Sequence, residues 1–368
     1  MGDIMKLGVV GLPNVGKSTL FNAITKAGAE SANYPFCTIE PNVGVVDVYD
    51  ERLIELAKLY NTNKIIPAQI EFVDIAGLVK GASEGAGLGN KFLSHIREVD
   101  AIVHVVRCFQ NDKIIHVEGS VDPMRDIETI NLELILSDMD TVTKRIDKIK
   151  KIVNGGSADL ATQKEYELLT KILDTLKQGK SVRTLEFSQA DKKIVDSFFL
   201  ITSKPVIYVA NTSDNLDDFQ RENIKKIENL ASAENAEVIS LCAKTEEEFV
   251  NMDPEDREMF KSELGIDLSG LDKLIRASYH LLGLISFITA GEKEVRAWTI
   301  KKGTLAPQAA GKIHSDFERG FIRADVVKYS DLITLRDYNL CREKGKIISA
   351  GKDYEVQDGD IIVFKFNV

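Results

Sequence analysis

The chain has 368 residues, 44% apolar and 28% charged, which is the make-up of a globular protein with room for about two or three domains. No apolar run is long enough to cross a bilayer, the opening residues lack the form of a secretory signal, and the four cysteines have no metal-type spacing; these features point away from membrane, export and zinc roles and toward a reducing cytoplasm. The net charge of −10 argues against generic nucleic-acid binding, although residues 284–368 carry 14 Lys+Arg against 12 Asp+Glu and leave −12 to the remainder, so a weakly basic module on an acidic body still allows an RNA contact.

In chain order, the apolar run 7–10 predicts a strand and 18–27 a helix. Between them lies Gly11-Leu12-Pro13-Asn14-Val15-Gly16-Lys17-Ser18, a G-x-x-x-x-G-K-[ST] match in the strand–loop–helix setting that the motif requires. Glycines let backbone wrap a polyphosphate, and successive N–H groups with a helix N-terminus then face the anion. Asn14, Val15, Gly16, Lys17, Ser18 and Thr19 are therefore expected to hold the phosphates of a nucleotide, with Lys17 on the β- and γ-phosphates and the Ser18 hydroxyl on Mg²⁺.

Further strands are predicted at 43–48, 70–73 and 101–106 and helices at 52–60 and 91–98, a βαβ array that resumes with strands at 206–209 and 237–241 and helices at 219–233 and 271–282. Between the halves, Ile135, Met139, Val142, Ile146, Ile149 and Val153 are spaced 4,3,4,3,4, and Tyr166, Leu169, Leu173 and Leu176 repeat 3,4,3 after a Gly-rich turn at 154–157. That pattern predicts a helical hairpin of coiled-coil type. After Gly283 the texture is β-rich, with strands at 284–289, 296–300, 321–327 and 361–366 around a helix at 309–319, which suits a ubiquitin-like β-grasp module. The expected fold is α/β: a P-loop nucleotide-binding domain over 1–125 and 204–283, an inserted coiled coil over 126–203 and a β-grasp domain over 284–368.

The strand at 70–73 ends in Asp74-Ile75-Ala76-Gly77, where Asp74 is expected to serve Mg²⁺ through water and the Gly77 N–H to meet the γ-phosphate. Thr38 lies where a switch threonine closes on Mg²⁺. Leu78 occupies the position of the water-orienting Gln of Ras-type enzymes and cannot replace it by hydrogen bonding. Residues 80–89 contain Gly81, Gly85, Gly87 and Gly89 and suit a switch that follows the γ-phosphate. On the base side, Asn211-Thr212-Ser213-Asp214 stands where GTPases carry Asn-Lys-x-Asp. Thr212 therefore weakens the hold on guanine, while Asp214 keeps a guanine partner in play. Cys242-Ala243-Lys244 fits the Ser-Ala-Lys position lining the base from the other side.

The sequence resembles the YchF (Obg-like ATPase) family, within the Obg branch of translation-associated P-loop GTPases. The resemblance rests on the block from Gly11 to Ala23, Asn33-Tyr34-Pro35-Phe36-Cys37-Thr38-Ile39-Glu40-Pro41-Asn42, the block from Asp74 to Asn90, and His104-Val105-Val106-Arg107-Cys108-Phe109. It also rests on Arg296-Ala297-Trp298-Thr299 with the block from Ala310 to Ile322. It implies a C-terminal TGS domain, ATP in preference to GTP and association with the ribosome; rRNA contact, a monomer, and no DNA or membrane partner are the further expectations. Thr38 and Asp74 would serve Mg²⁺ with Ser18, and Asn211 would contact the base; Asp214 departs from the Glu common in the family. Asn14 occupies the position that ligates K⁺ in related enzymes, or else simply shapes the loop. His116 is a candidate for handling the attacking water, with a structural role as the alternative; Lys17 is the other catalytic candidate. Two other functions stay open on the sequence: an Obg-type GTPase of ribosome assembly or translation, and a nucleotide-sensing adaptor without turnover.

Overall fold

The computed structural model describes residues 5–31, 43–75, 87–155, 158–253, 256, 259 and 269–367. The described residues of 5–44 and 71–274 form one compact unit, and those of 45–70 and 275–368 another. In chain order the first elements are β1 (Lys6–Val10), α1 (Lys17–Ser31), β2 (Val43–Val48), α2 (Glu51–Leu59), β3 (Ile65–Ile66), β4 (Ala68–Asp74), α3 (Gly87–Glu98) and β5 (Ala101–Arg107). Then come α4 (Pro123–Asn154), α5 (Leu160–Lys177), α6 (Gln189–Asp196), β6 (Val206–Asn211), α7 (Asp218–Ala233), β7 (Glu237–Leu241), α8 (Ala243–Val250) and α9 (Gly270–Leu281).

The first sheet has the order β2-β4-β1-β5-β6-β7. Neighbours from β4 to β7 run parallel, with Val9 opposite Asp74 and Val103, and Ala210 opposite Val106 and Ser240. Every residue of β5 and β6 is buried, as parallel strands covered by helices on both faces must be. This arrangement brings the carboxyl ends of five strands to one edge, where ligands of open α/β sheets bind.

Helix α4 begins three residues before the predicted hairpin. Asp122 caps it by accepting from the Arg125 N–H, and Pro123 fills the first turn, where its missing N–H costs nothing. Its first half packs on β5 and α7. From Ile135 onward it pairs with α5 through Ile135, Met139, Val142, Ile146 and Ile149 against Leu169, Leu173 and Leu176, most of the expected seam, joined by Leu168 and Ile172, whereas Val153 and Tyr166 stand outside this cluster. Buried Asp138 pins the returning chain by accepting from the Ile201 N–H (3.0 Å), the Thr202 N–H (2.8 Å) and the Thr202 hydroxyl (2.7 Å).

The C-terminal elements are β8 (Leu284–Ala290), β9 (Val295–Lys301), α10 (Ala306–Ile313), α11 (Ser315–Arg319), β10 (Phe321–Lys328), α12 (Tyr329–Leu335), α13 (Tyr338–Glu343), β11 (Ile347–Ala350) and β12 (Asp360–Phe366). Their sheet has the order β11-β10-β12-β8-β9-β3. Antiparallel β8–β9 and β10–β11 pairs flank a parallel β8–β12 contact, which is β-grasp topology. Ala306, Ala309 and Ala310 let α10 lie close over Phe287, Val326 and Phe364. The single helix expected at 309–319 is two, because His314 is extended (φ −160°, ψ 142°) and its Nδ1 accepts from the Asp316 N–H to start α11.

His104 of β5 is 3% exposed, with its ring centroid 5.4 Å from that of Tyr208. Burial, aided by the charge of Arg183, lowers its pKa from 6.5 to about 3. The unfolded chain therefore takes up a proton, as pH falls below about 6.5, that the folded chain refuses. This stability is complete above that pH and is lost progressively on acidification, by roughly 2–3 kcal/mol at about pH 4.5. Urea unfolding of the wild type and His104→Gln at about pH 7.5 and about pH 4.5 checks this: the variant should lose less stability between the two by about that amount.

Candidate functional site

The end of β1 and the start of α1 enclose the loop 11–16, and two glycines in it have physical reasons. A Cβ on Gly11 would lie 2.8 Å from the Val105 carbonyl oxygen. Gly16 has φ +91°, and a Cβ there would lie 2.1 Å from Asn211 Nδ2. Asn14 also takes a left-handed conformation (φ 63°), which asparagine tolerates better than most residues. The loop thus curls back on itself before α1, whose first residues, Lys17, Ser18 and Thr19, line the cavity at this edge.

A cavity of about 770 Å³ opens at this edge. It is lined by the loop residues Asn14, Gly16, Lys17, Ser18 and Thr19, by Asn211, Thr212 and Asp214 after β6, and by Cys242, Ala243, Lys244 and Glu247 around the start of α8. Most of the predicted phosphate and base residues therefore share one cavity; Val15 faces inward, 1% exposed. Phe109, Gln110, Asn111 and Ile114 line it as well. Sequence reasoning assigned them no role; their place just beyond the end of β5 was the available signal. Thr38, Gly77 and Leu78 lie outside the described residues.

Asn211 is 3% exposed and joins two walls of the cavity. Its Nδ2 donates to the Val15 carbonyl at 2.8 Å, and its Oδ1 accepts the Ala243 N–H at 3.0 Å. Asn211 thus braces the loop against α8, and the second N–H of its Nδ2 is left for the expected contact with a base in the cavity it lines. Arg107 at the end of β5 is 1% exposed and was likewise not assigned a role. Its guanidinium donates to the carbonyls of Phe109 (3.2 Å), Asn14 (3.4 Å), Asn111 (3.3 Å) and Ile114 (3.0 Å), and lies 4.7 Å from the centroid of the Phe109 ring. Burial lowers its pKa, while the charge of Asp126 acts in the opposite sense. One buried cation thus ties the loop 11–16 to the segment 109–114.

Lys17 Nζ, in the cavity lining, forms an ion pair with Asp74 at the end of β4, so a predicted phosphate ligand and a predicted Mg²⁺ carboxylate are in contact, although Asp74 itself does not line the cavity. The Asn14 side chain donates to the Ile115 carbonyl at 3.1 Å, which supports its loop-shaping role. His116, predicted as catalytic, is buried: its Nδ1 accepts the Glu118 N–H at 3.1 Å, which leaves Nε2–H to donate to Asp126 Oδ2 at 2.8 Å. Both ring nitrogens are engaged, so in this arrangement no lone pair faces a substrate water. His95 is exposed on α3, and neither it nor His104 lines the cavity.

On the base side, Thr212 is 5% exposed, with its hydroxyl on the Leu241 carbonyl at 3.3 Å, and so offers no stem to cover a base. Lys244 points outward, 78% exposed, 3.6 Å from Glu248. The Asp214 carboxylate accepts from the Thr245 hydroxyl of α8.

A family model described as 50S ribosome-binding GTPase matches residues 6–139, and one described as YchF-GTPase_C, protein of unknown function, matches residues 284–367. The chain is 58% identical over 363 residues to the ribosome-binding ATPase YchF of Bacillus subtilis, covering 98% of this chain and 99% of that protein. It is 50% identical over 364 residues to the ribosome-binding ATPase YchF of Escherichia coli O157:H7, covering 99% of each. The solved Schizosaccharomyces pombe YchF GTPase matches with a TM-score of 0.89 at 42% identity, covering 99% of this chain and 98% of that one. An α/β P-loop fold, a cavity built on the nucleotide-binding loop and full-length identity at this level agree: the chain belongs to the YchF family.

Proposed function

We propose that this chain is a ribosome-associated ATPase switch that cleaves ATP to ADP and phosphate and prefers ATP to GTP. The observation that carries the reading is the meeting of Lys17 and Asp74 beside a backbone cradle braced by Asn211. The name shared by the bacterial relatives, ribosome-binding ATPase, supports both the nucleotide and the partner. The ribosomal contact includes rRNA, and the protein acts as a cytoplasmic monomer without a DNA or membrane partner.

In this reading the ammonium of Lys17 exchanges Asp74 for the β- and γ-phosphates, while the N–H groups of 14–19 converge on their oxygens. Ser18, Thr38 and Asp74 offer hard oxygen donors, which suit Mg²⁺, and Gly77 contributes an N–H to the γ-phosphate. Bound Mg²⁺ would offset negative charge on the phosphate oxygens. The Asn14 amide oxygen would be a ligand for K⁺, which would supply positive charge to offset the negative charge that grows in the transition state. Thr212, Cys242, Ala243 and Lys244 frame the base. His116 handles the water after its ring leaves Asp126, so turnover is slow until the segment 109–118 rearranges.

Titration with ATP and GTP, followed by turnover with and without ribosomes, tests the reading. ATP should bind at least about tenfold more tightly and turn over; GTP tighter by that margin, as Asp214 would favour, gives the Obg-type GTPase instead. Turnover should also be faster in KCl than in NaCl. His116→Ala should lower kcat by about a hundredfold with nucleotide affinity kept, whereas near-normal turnover leaves the histidine only its structural pairing. Asn211→Ala strands the Val15 carbonyl and the Ala243 N–H, so affinity should fall by at least about tenfold for ATP and GTP alike. A loss confined to one base would make Asn211 a base contact.

A further inference from the structure

The base end of the cavity holds one carboxylate of the type that recognises guanine, and the structure shows where it is directed. Asp214 accepts a hydrogen bond from the hydroxyl of Thr245, in the first turn of α8. Three anchors fix the loop carrying it. The buried Thr212 hydroxyl is on the Leu241 carbonyl, the Ser213 N–H donates to Gln220 Oε1 at 3.0 Å, and the Ser213 hydroxyl caps the Asn215 carbonyl at 2.9 Å. Gln220 is itself 2% exposed and donates back to the Ser213 hydroxyl at 2.7 Å, so the loop has little freedom to turn Asp214 elsewhere. The start of α8 also favours an anion: its N-cap, Cys242, makes no side-chain cap, and although the Ala243 N–H is taken by Asn211 Oδ1, the helix dipole favours a nearby carboxylate.

Guanine presents an N1–H and an N2–H₂ side by side, which a carboxylate meets with both oxygens. Adenine presents an acceptor at N1 and a donor at N6, so a carboxylate aimed at its edge faces a lone pair. A carboxylate with one oxygen held by a hydroxyl is a poorer partner for guanine and a milder neighbour for adenine. We propose that Thr245 is a specificity-determining residue: by holding the carboxylate of Asp214 against α8, it withdraws the group that would select guanine. The inference rests on the proposed preference for ATP and names a residue responsible for part of it.

The test uses the full chain with ADP and GDP, which bind without turnover. Dissociation constants are measured for the wild type, Thr245→Val, Asp214→Asn and the double variant. Val keeps the β-branched shape in α8 and removes only the hydroxyl's hydrogen bond. The expected result is GDP binding about tenfold tighter in Thr245→Val, with ADP unchanged or weaker, and this gain absent when Asp214→Asn is combined with it. An unchanged ADP-to-GDP ratio in Thr245→Val overturns the inference. So does weaker GDP binding, which would mean that Thr245 presents Asp214 to guanine. A gain that survives Asp214→Asn overturns it as well. A wild type that binds GDP more tightly than ADP overturns the ATP preference itself, whatever the variants do. Urea unfolding of each variant confirms that the comparison is made between folded proteins.

Discussion

A loop that offers its backbone N–H groups to an anion must be held by bonds to the rest of the chain, and here the carboxamide of Asn211, with the buried side chains of Leu12 and Val15, supplies that restraint. One end of the amide holds Val15 inside the loop and the other holds Ala243 at the start of α8. Gly16 has no alternative, because the Asn211 nitrogen occupies the space that a Cβ would need. The brace works only if β6 is in register with β5, Arg107 opposite Asn211, so the geometry of the site depends on the parallel sheet as a whole. Leaving either buried backbone group unpaired costs about 1–3 kcal/mol, a large part of the stability margin of an ordinary domain.

The second restraint is ionic. Arg107 donates to four carbonyls rather than to a carboxylate, and in doing so fixes the curve of 109–114 against the loop 11–16. Beyond that curve, His116 and Asp126 join the segment to the first turn of α4. A single stretch of chain therefore runs from the phosphate loop, through Asn14 and Ile115, to the root of the longest helix. These contacts connect the start of α4 to the phosphate loop through one continuous set of hydrogen bonds. The proposed release of the His116 ring would break the link at the Asp126 end.

What the sequence made legible was local. The P-loop, the alternating strands and helices and the 4,3,4,3,4 seam of α4 all follow from residue order within one or two elements. The site's supports were not legible in this way. Arg107 reads as the end of an apolar strand, and its role appears only when Asn14, 93 positions away, is brought beside it. The brace at Asn211 spans 196 residues, and His116 cannot be assigned to structure or catalysis until α4 places Asp126 against it. In the β-grasp unit, the break at His314 depends on a side-chain cap rather than on hydrophobic period. The two-residue strand β3 is too short to carry any period and is defined only by its pairing with β9.

The division of work at the strand ends explains how such a protein can change nucleobase without losing its chemistry. Asn211 supports the phosphate side, because the two ends of its amide hold Val15 and Ala243. In the proposed reading, the residues that separate adenine from guanine lie one to three positions later, on a loop fastened by Leu241, Gln220 and Thr245 rather than by the phosphate cradle. Substitutions in that loop alter hydrogen bonding at the base edge while leaving the restraint on Val15 and Gly16 intact. A change at Asn211, by contrast, would remove the brace on the cradle itself. Selectivity is therefore the freer of the two properties, and Thr212 in the lysine position is what that freedom permits once a buried hydroxyl can be satisfied by a backbone carbonyl.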